Sequence, residues 1–190
     1  MPELDILTPL AGRPPIGAPG AAVHVFEAPF SAKFVLRIGE SELDRAGAAL
    51  GLSLPRDPLR AAFGEDIGAM RLGPDEWLVV MAPQRADALA QAVGRALAET
   101  HAAFVDVGHR MTEIAIEGPA WRELLASGCP LDLDPEGTPP SFASRSLLGR
   151  CEIVLVVRER DAASLFVDRS FAPYAMDFLE EAAKSLLAGT

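Results

Sequence analysis

Four side chains with chemical potential fall within one stretch, Phe104 to Leu133 (FVDVGHRMTEIAIEGPAWRELLASGCPLDL): Asp106, His109, Arg110 and Cys129. An acid, an imidazole and a guanidinium at one strand end could bind an anion or exchange protons. The same three also suit a scaffold, with Asp106 capping a turn or pairing with Arg110, and His109 packing or facing a partner. No Ser or Cys nucleophile lies beside them in sequence. Cys129 follows a helix-ending Gly, where the negative end of the helix opposes a thiolate. Cys151 opens an apolar run and reads as core. Asp75 and Trp77, in Gly73-Pro74-Asp75-Glu76-Trp77, could form a ligand loop with a stacking ring; a hairpin turn followed by a core or interface anchor is the favoured reading. Arg169, at a helix start, is unfavourably placed for a cation unless a carboxylate meets it. Walker A, GxGxxG, GxSxG and HExxH patterns are absent from the sequence, and no Cys-His cluster has metal-ligand spacing. The sequence therefore assigns no catalytic and no metal residues. Asp106, His109, Arg110, Asp75, Trp77 and Arg169 remain as candidate ligand or subunit contacts.

The totals narrow the classes. A net charge of -10 without any basic block argues against nucleic acid, because a phosphate backbone needs clustered Lys and Arg. The first residues have neither the basic nor the apolar region of a signal peptide. No apolar run approaches the roughly 20 residues of a membrane span. The two cysteines fit a reducing compartment, and a cytoplasmic protein is expected.

The elements that must position these residues can be read in order. Residues 1–20 hold five Pro and three Gly, which suits a disordered tail or an extended arm that orders on a partner. Val23–Phe26 and Phe34–Ile38 read as strands joined through a turn at Pro29. Ser41 is a candidate N-cap for a helix with Leu43, Ala46, Gly47 and Leu50 on one face and Gly51 as its stop. Ile67–Leu72 and Trp77–Met81 read as a hairpin, and Gln84 to Glu99 as a helix with Leu89, Val93 and Leu97 in a stripe. Phe104–Val107 is a strand; Ile114 and Ile116 alternate in the next. Pro119 suits a helix start, with Trp121, Leu124 and Leu125 as the apolar face. Ser146–Leu148, Cys151–Val157 and Leu165–Asp168 follow as strands. A last helix spans Phe171 to Leu187, with Ser170 as N-cap and Phe171, Tyr174, Phe178, Ala182 and Leu186 as its stripe.

The halves share one grammar. FVLRIG-ESELDRAGAALG-LSLPRDP (Phe34 to Pro58) and TEIAIEG-PAWRELLASG-CPLDLDP (Thr112 to Pro135) each give an alternating strand ending in Gly, a short helix ending in Gly, and a connector ending in Asp-Pro. Strands and a long amphipathic helix follow each. The expected fold is α+β, a duplicated ββα-βββ-α unit with antiparallel sheets and a pseudo-twofold. The expected organisation is an N-terminal arm (1–20), a first repeat (21–101) and a second repeat (102–190), intertwined as one unit.

RLGPDEWLVV (Arg71–Val80), VDVGHR (Val105–Arg110), LLASGCPLDL (Leu124–Leu133) and DRSFAPYAMDFLEEA (Asp168–Ala182) together resemble the gamma subunit family of heterotetrameric sarcosine oxidase. The chain departs from that pattern at Gly108 (usually Ser), Ser146 (usually Thr), Asp168 (commonly Trp) and Met176 (often Trp). The resemblance implies a fold like the folate-binding domain of aminomethyltransferases, with exchanged first strands. It implies a non-catalytic gamma subunit docked on the alpha subunit of an alpha-beta-gamma-delta complex that oxidatively demethylates sarcosine to glycine. FAD, FMN, NAD, folate and zinc are then expected on the partner subunits, and none on this chain. The alternative is an independent folate-binding or aminomethyltransferase-like module, with Asp106, or Asp75 next, facing the pteridine. An isolated chain could self-associate through its orphaned interface.

Overall fold

The structure is a computed structural model and describes residues 7–188. The chain runs β1 (Ile16–Gly17), β2 (His24–Glu27), β3 (Ala32–Arg37), α1 (Leu43–Leu50), β4 (Ala61–Phe63), β5 (Ile67–Gly73), β6 (Glu76–Met81), α2 (Ala86–Ala96), β7 (Ala103–Asp106), β8 (Met111–Glu117), α3 (Trp121–Ala126), β9 (Ala143–Leu148), β10 (Cys151–Glu159), β11 (Ala162–Asp168) and α4 (Ala172–Leu187). All neighbouring strands pair antiparallel. They form a five-stranded sheet, β4-β5-β6-β3-β7, and a six-stranded sheet, β1-β2-β8-β11-β10-β9.

Side-chain alternation decides the layering. In β3, Ala32, Phe34 and Leu36 join a core with Leu43, Ala46 and Leu50 of α1 and Val93 of α2. In the other sheet, Ile114, Ile116, Ile153, Leu155, Leu165 and Val167 pack under Trp121, Leu124 and Leu125 of α3 and Ala172, Ala175, Met176 and Leu179 of α4. The opposite faces meet each other: Ala61, Met70, Leu78 and Val80 from one sheet pack on Ala143, Val154, Val156 and Phe166 from the other. The order is helices, sheet, sheet, helices. β10 is buried on both faces, which is why CEIVLVV reads as a continuous apolar run.

Several local expectations hold. Gly51 ends α1 in the left-handed region, φ +70°, its N–H donating to Ala48 and Gly47 carbonyls. Gly118 has φ +110°, and a Cβ there would sit 2.4 Å from the Ala22 carbonyl oxygen, so only Gly lets the β8–α3 turn close on the segment before β2.

Others are corrected. The Pro29 connection between β2 and β3 is not a tight turn within one sheet but a crossing between sheets: β2 pairs with β8, and β3 with β6 and β7. Ser41 and Ser170 are not N-caps. Both lie inside single 3₁₀ turns (Glu40–Glu42 and Arg169–Phe171) that lead into the helices, and neither makes a side-chain cap bond. The buried face of α4 is Ala172, Ala175, Met176, Leu179 and Ala183, rotated from the expected stripe, and Phe171 is exposed. Small alanines let the helix approach the sheet, while Tyr174 and Phe178 flank it against Gly149 and Gly128. The arm is not a disordered tail over its described part: Ile16 and Gly17 pair with β2, and Arg13 binds Asp177 and Glu180 of α4, each at 2.7 Å. Residues 1–6 of the expected arm lie outside the described residues.

Candidate functional site

A cleft of about 280 Å³ opens between the two sheets. Val35, Leu72 and Leu78 line it from the five-stranded sheet, and Leu147, Val154 and Phe166 from the other. The short corner after β7 supplies Val107 and Arg110, and the first residue of β8 supplies Met111. The floor is continuous with the apolar packing between the sheets.

Ion pairs rim the mouth. Arg110 Nε donates to Asp168 Oδ1 at 3.1 Å. Arg37 donates to Asp75 at 2.9 Å and to Glu76 at 3.1 Å. Glu76 also accepts from Arg145 of β9, so one carboxylate ties the two sheets together. The Arg37 hydrogen bond holds the Asp75 carboxyl below its ordinary range. Each pair satisfies itself, so the rim presents little uncompensated positive charge to an anion.

The far end of the intersheet layer is also polar. Lys33 is 1 % exposed, and its ammonium donates to the Ser31 carbonyl at 2.8 Å. Burial pushes the Lys33 ammonium below the ordinary lysine value, and the nearby Glu113, Glu27 and Asp106 charges partly oppose this. Glu113 accepts from Arg158 at 2.9 Å and from Ser164 at 2.6 Å. The Arg158 guanidinium also lies over the Phe63 ring of the opposite sheet, 4.7 Å from its centroid. This network ties strands of the six-stranded sheet together, with the Glu113 carboxylate shared between Arg158 and Ser164.

The candidate residues from the sequence separate. Asp106 Oδ1 accepts the Gly108 N–H at 2.7 Å, so it caps the turn, and it does not line the cleft. His109 is exposed, and its ring lies 5.7 Å from that of Phe30. Arg110 does reach the cleft, but its carboxylate partner is Asp168 and not Asp106. Arg169 donates to the Leu7 carbonyl at 2.7 Å, so a backbone oxygen takes the place of the expected carboxylate. Its own backbone N–H donates to the Arg110 carbonyl at 2.7 Å, which brings His109, Arg110 and Arg169 to one corner. Asp75 stays in its turn. Trp77 is corrected as a contact residue: it is 0 % exposed, and its indole donates to the Pro55 carbonyl at 2.9 Å inside the helix-covered core. Cys129 and Cys151 are free and buried. Burial, with Asp168 and Glu152 adding, pushes the Cys151 thiol up to about 11.

Sequence reasoning missed Lys33, Glu113, Arg158, Arg145 and Glu152. A signal existed in AKFVLR: Lys33 and Arg37 alternate with Ala32, Phe34 and Leu36, which places charge on the second face of the strand, where tertiary packing covers Lys33 and leaves Arg37 exposed.

A sequence profile described as the sarcosine oxidase, gamma subunit family matches residues 43–185. The chain belongs to that family. Relatives named sarcosine oxidase subunit gamma occur in Corynebacterium sp. strain P-1, 25 % identical with 87 % of this chain and 82 % of the relative covered. A second is from strain U-96, 27 % identical with 85 % and 79 % covered. Among solved structures, a chain of the heterotetrameric sarcosine oxidase from Corynebacterium sp. U-96, in complex with pyrrole 2-carboxylate, superposes with a TM-score of 0.80 at 24 % identity. That match covers 89 % of this chain and 87 % of the other. The glycine cleavage system aminomethyltransferase T from Bartonella henselae superposes with a TM-score of 0.64 at 12 % identity, over 84 % of this chain but 46 % of that one. At these identities the superpositions establish the fold; the family rests on the profile.

Proposed function

We propose that the chain is the non-catalytic gamma subunit of a heterotetrameric sarcosine oxidase, supporting the oxidative demethylation of sarcosine to glycine in the cytoplasm. The carrying observation is the family match over residues 43–185. Support comes from the site: its charged side chains are engaged with one another rather than arranged as a nucleophile and base. In this reading the chain docks on the alpha subunit, and the corner formed by His109, Arg110 and Arg169, with Asp106 beside it and Asp75 across the mouth, belongs to the contact surface. FAD, FMN, NAD, folate and zinc reside on partner subunits.

The fold reflects a duplication of units at 21–101 and 102–190 with their first strands exchanged. Support comes from the sheet orders: β7-β3-β6-β5-β4 repeats β2-β8-β11-β10-β9 position for position, and β2 and β7 each sit in the sheet of the other unit. The test of the functional reading is co-expression of the tagged chain with the remaining oxidase genes. A coloured complex with flavin absorbance is expected; a lone, colourless chain refutes the proposal.

The cleft keeps a second reading in view, an independent folate-binding module. Asp106 is not its carboxylate; Asp168 and Glu152 line the cleft instead. Titration of the isolated chain with tetrahydrofolate decides it: micromolar binding lost in Glu152→Gln favours this module, and absence of heat rejects it.

A further inference from the structure

We infer that the cleft and the open edge of β7 together receive an extended segment of the partner subunit, one that carries an apolar side chain for the cleft and a Lys or Arg beside it. This rests on the proposed role as an oxidase subunit. Of the described large apolar residues, five are exposed, and two of them, Val105 (53 %) and Leu147 (42 %), lie on this face. Leu147 lines the cleft, and Val105 stands opposite Val35, which lines it too. β7 ends its sheet, paired with β3 alone. The Val107 N–H donates to the Lys33 carbonyl, so in this antiparallel register the Phe104 and Asp106 amides turn to the open side. An unpaired strand edge beside an apolar cleft is the geometry of strand addition, in which backbone bonds supply affinity and a pocket selects a side chain. A cleft of about 280 Å³ falls just below the usual range for small-molecule pockets and suits one anchoring side chain.

Charge decides between occupants. Arg37, Arg110 and Arg145 at the mouth already hold carboxylates and Arg169 is turned to the Leu7 carbonyl, while Asp106 and Glu152 have no cationic partner within ion-pair distance among the described residues. The surplus is negative on a chain of net charge -10, so a second copy would bring like charge and a basic segment is complementary.

The test uses the co-expressed complex. Val105→Asp and Leu147→Asp are each expected to weaken association at least tenfold, with melting of the free chain unchanged. Val105→Thr and Leu147→Gln, which keep the local shape, are expected to weaken it less. Asp106→Lys and Glu152→Lys are expected to weaken it and to reduce its salt dependence. Leu59→Asp, an exposed apolar position that does not line the cleft, is the control and is expected to bind as wild type. Wild-type association by the Val105 and Leu147 variants, or equal loss in Leu59→Asp, overturns the inference while leaving the subunit role standing. Failure of the unmodified chain to associate refutes that role instead.

Discussion

Replacing Trp77 by Phe separates the two roles that its sequence context allows. The indole is fully buried against the helices of the five-stranded sheet and donates to the Pro55 carbonyl. Phe keeps an aromatic ring but loses the donor. Pro55 is half-buried, so water can partly replace the lost bond, and that loss costs about 1 kcal/mol, the low end for an unpaired group. The smaller ring leaves a void in a core that relaxes incompletely, for about 1 kcal/mol more. The sum is about 2 kcal/mol, a fall in Tm of roughly 4–8 °C for a chain of this length. Urea denaturation of wild type and Trp77→Phe, followed by far-UV circular dichroism, measures it. A loss below about 0.5 kcal/mol, the range of ordinary surface substitutions, refutes the burial argument and returns Trp77 to the surface as a contact.

Three further outcomes follow from the packing. Lys33→Met is expected to leave stability at neutral pH unchanged or raised, since a buried charge is replaced by an apolar chain of similar length. Because burial lowers the folded-state value of Lys33, its penalty is full below that value and fades as pH rises toward the ordinary 10.5. Denaturation at neutral and alkaline pH should therefore show a smaller alkaline gain in the variant, and an unchanged gain contradicts the burial. Cys151, with its thiol pushed up to about 11, is expected to resist thiol reagents at pH 8 in the native chain, whereas denatured protein should titrate both cysteines. Rapid native labelling of Cys151, located by mass spectrometry, counts against its burial. Gly118→Ala is expected to cost about 2–3 kcal/mol through its left-handed φ and the 2.4 Å approach to Ala22, while Gly12→Ala, strained at φ +81° but with no atom within 4 Å, should cost about 1 kcal/mol. Similar melting of the two variants would show that the close approach is not there.

Much of the architecture was legible because it is local. Leu43, Ala46, Gly47 and Leu50 repeat at helical spacing and are the buried face of α1. The Gly73–Glu76 turn between two β-rich runs closes the β5–β6 hairpin as expected. β4 was not legible: its three residues, Ala61–Phe63, are too short to show a period, and pairing with β5 makes them a strand. The face of α4 was misjudged because aromatic residues dominate a hydrophobic pattern, whereas the close approach of helix to sheet selects alanine. Of the candidate site, Arg110 was found through its motif. Arg145 and Glu152 were not, since only the packing of the β9–β10 pair against the other sheet brings them to the cleft.

The sequence by itself determined the α+β class and most elements, because periodicity, turn residues and helix stops act over a few residues. It also carried the four motifs that resemble the gamma subunit family. Only the tertiary structure decided which strand joins which sheet, because β2 and β7 have the same local character wherever they pair, and long-range backbone hydrogen bonds assign them. It also decided where charge is buried. Lys33 looks like a surface residue by type and Trp77 could serve as core or as an interface anchor; both become interior when the sheets and helices close over them.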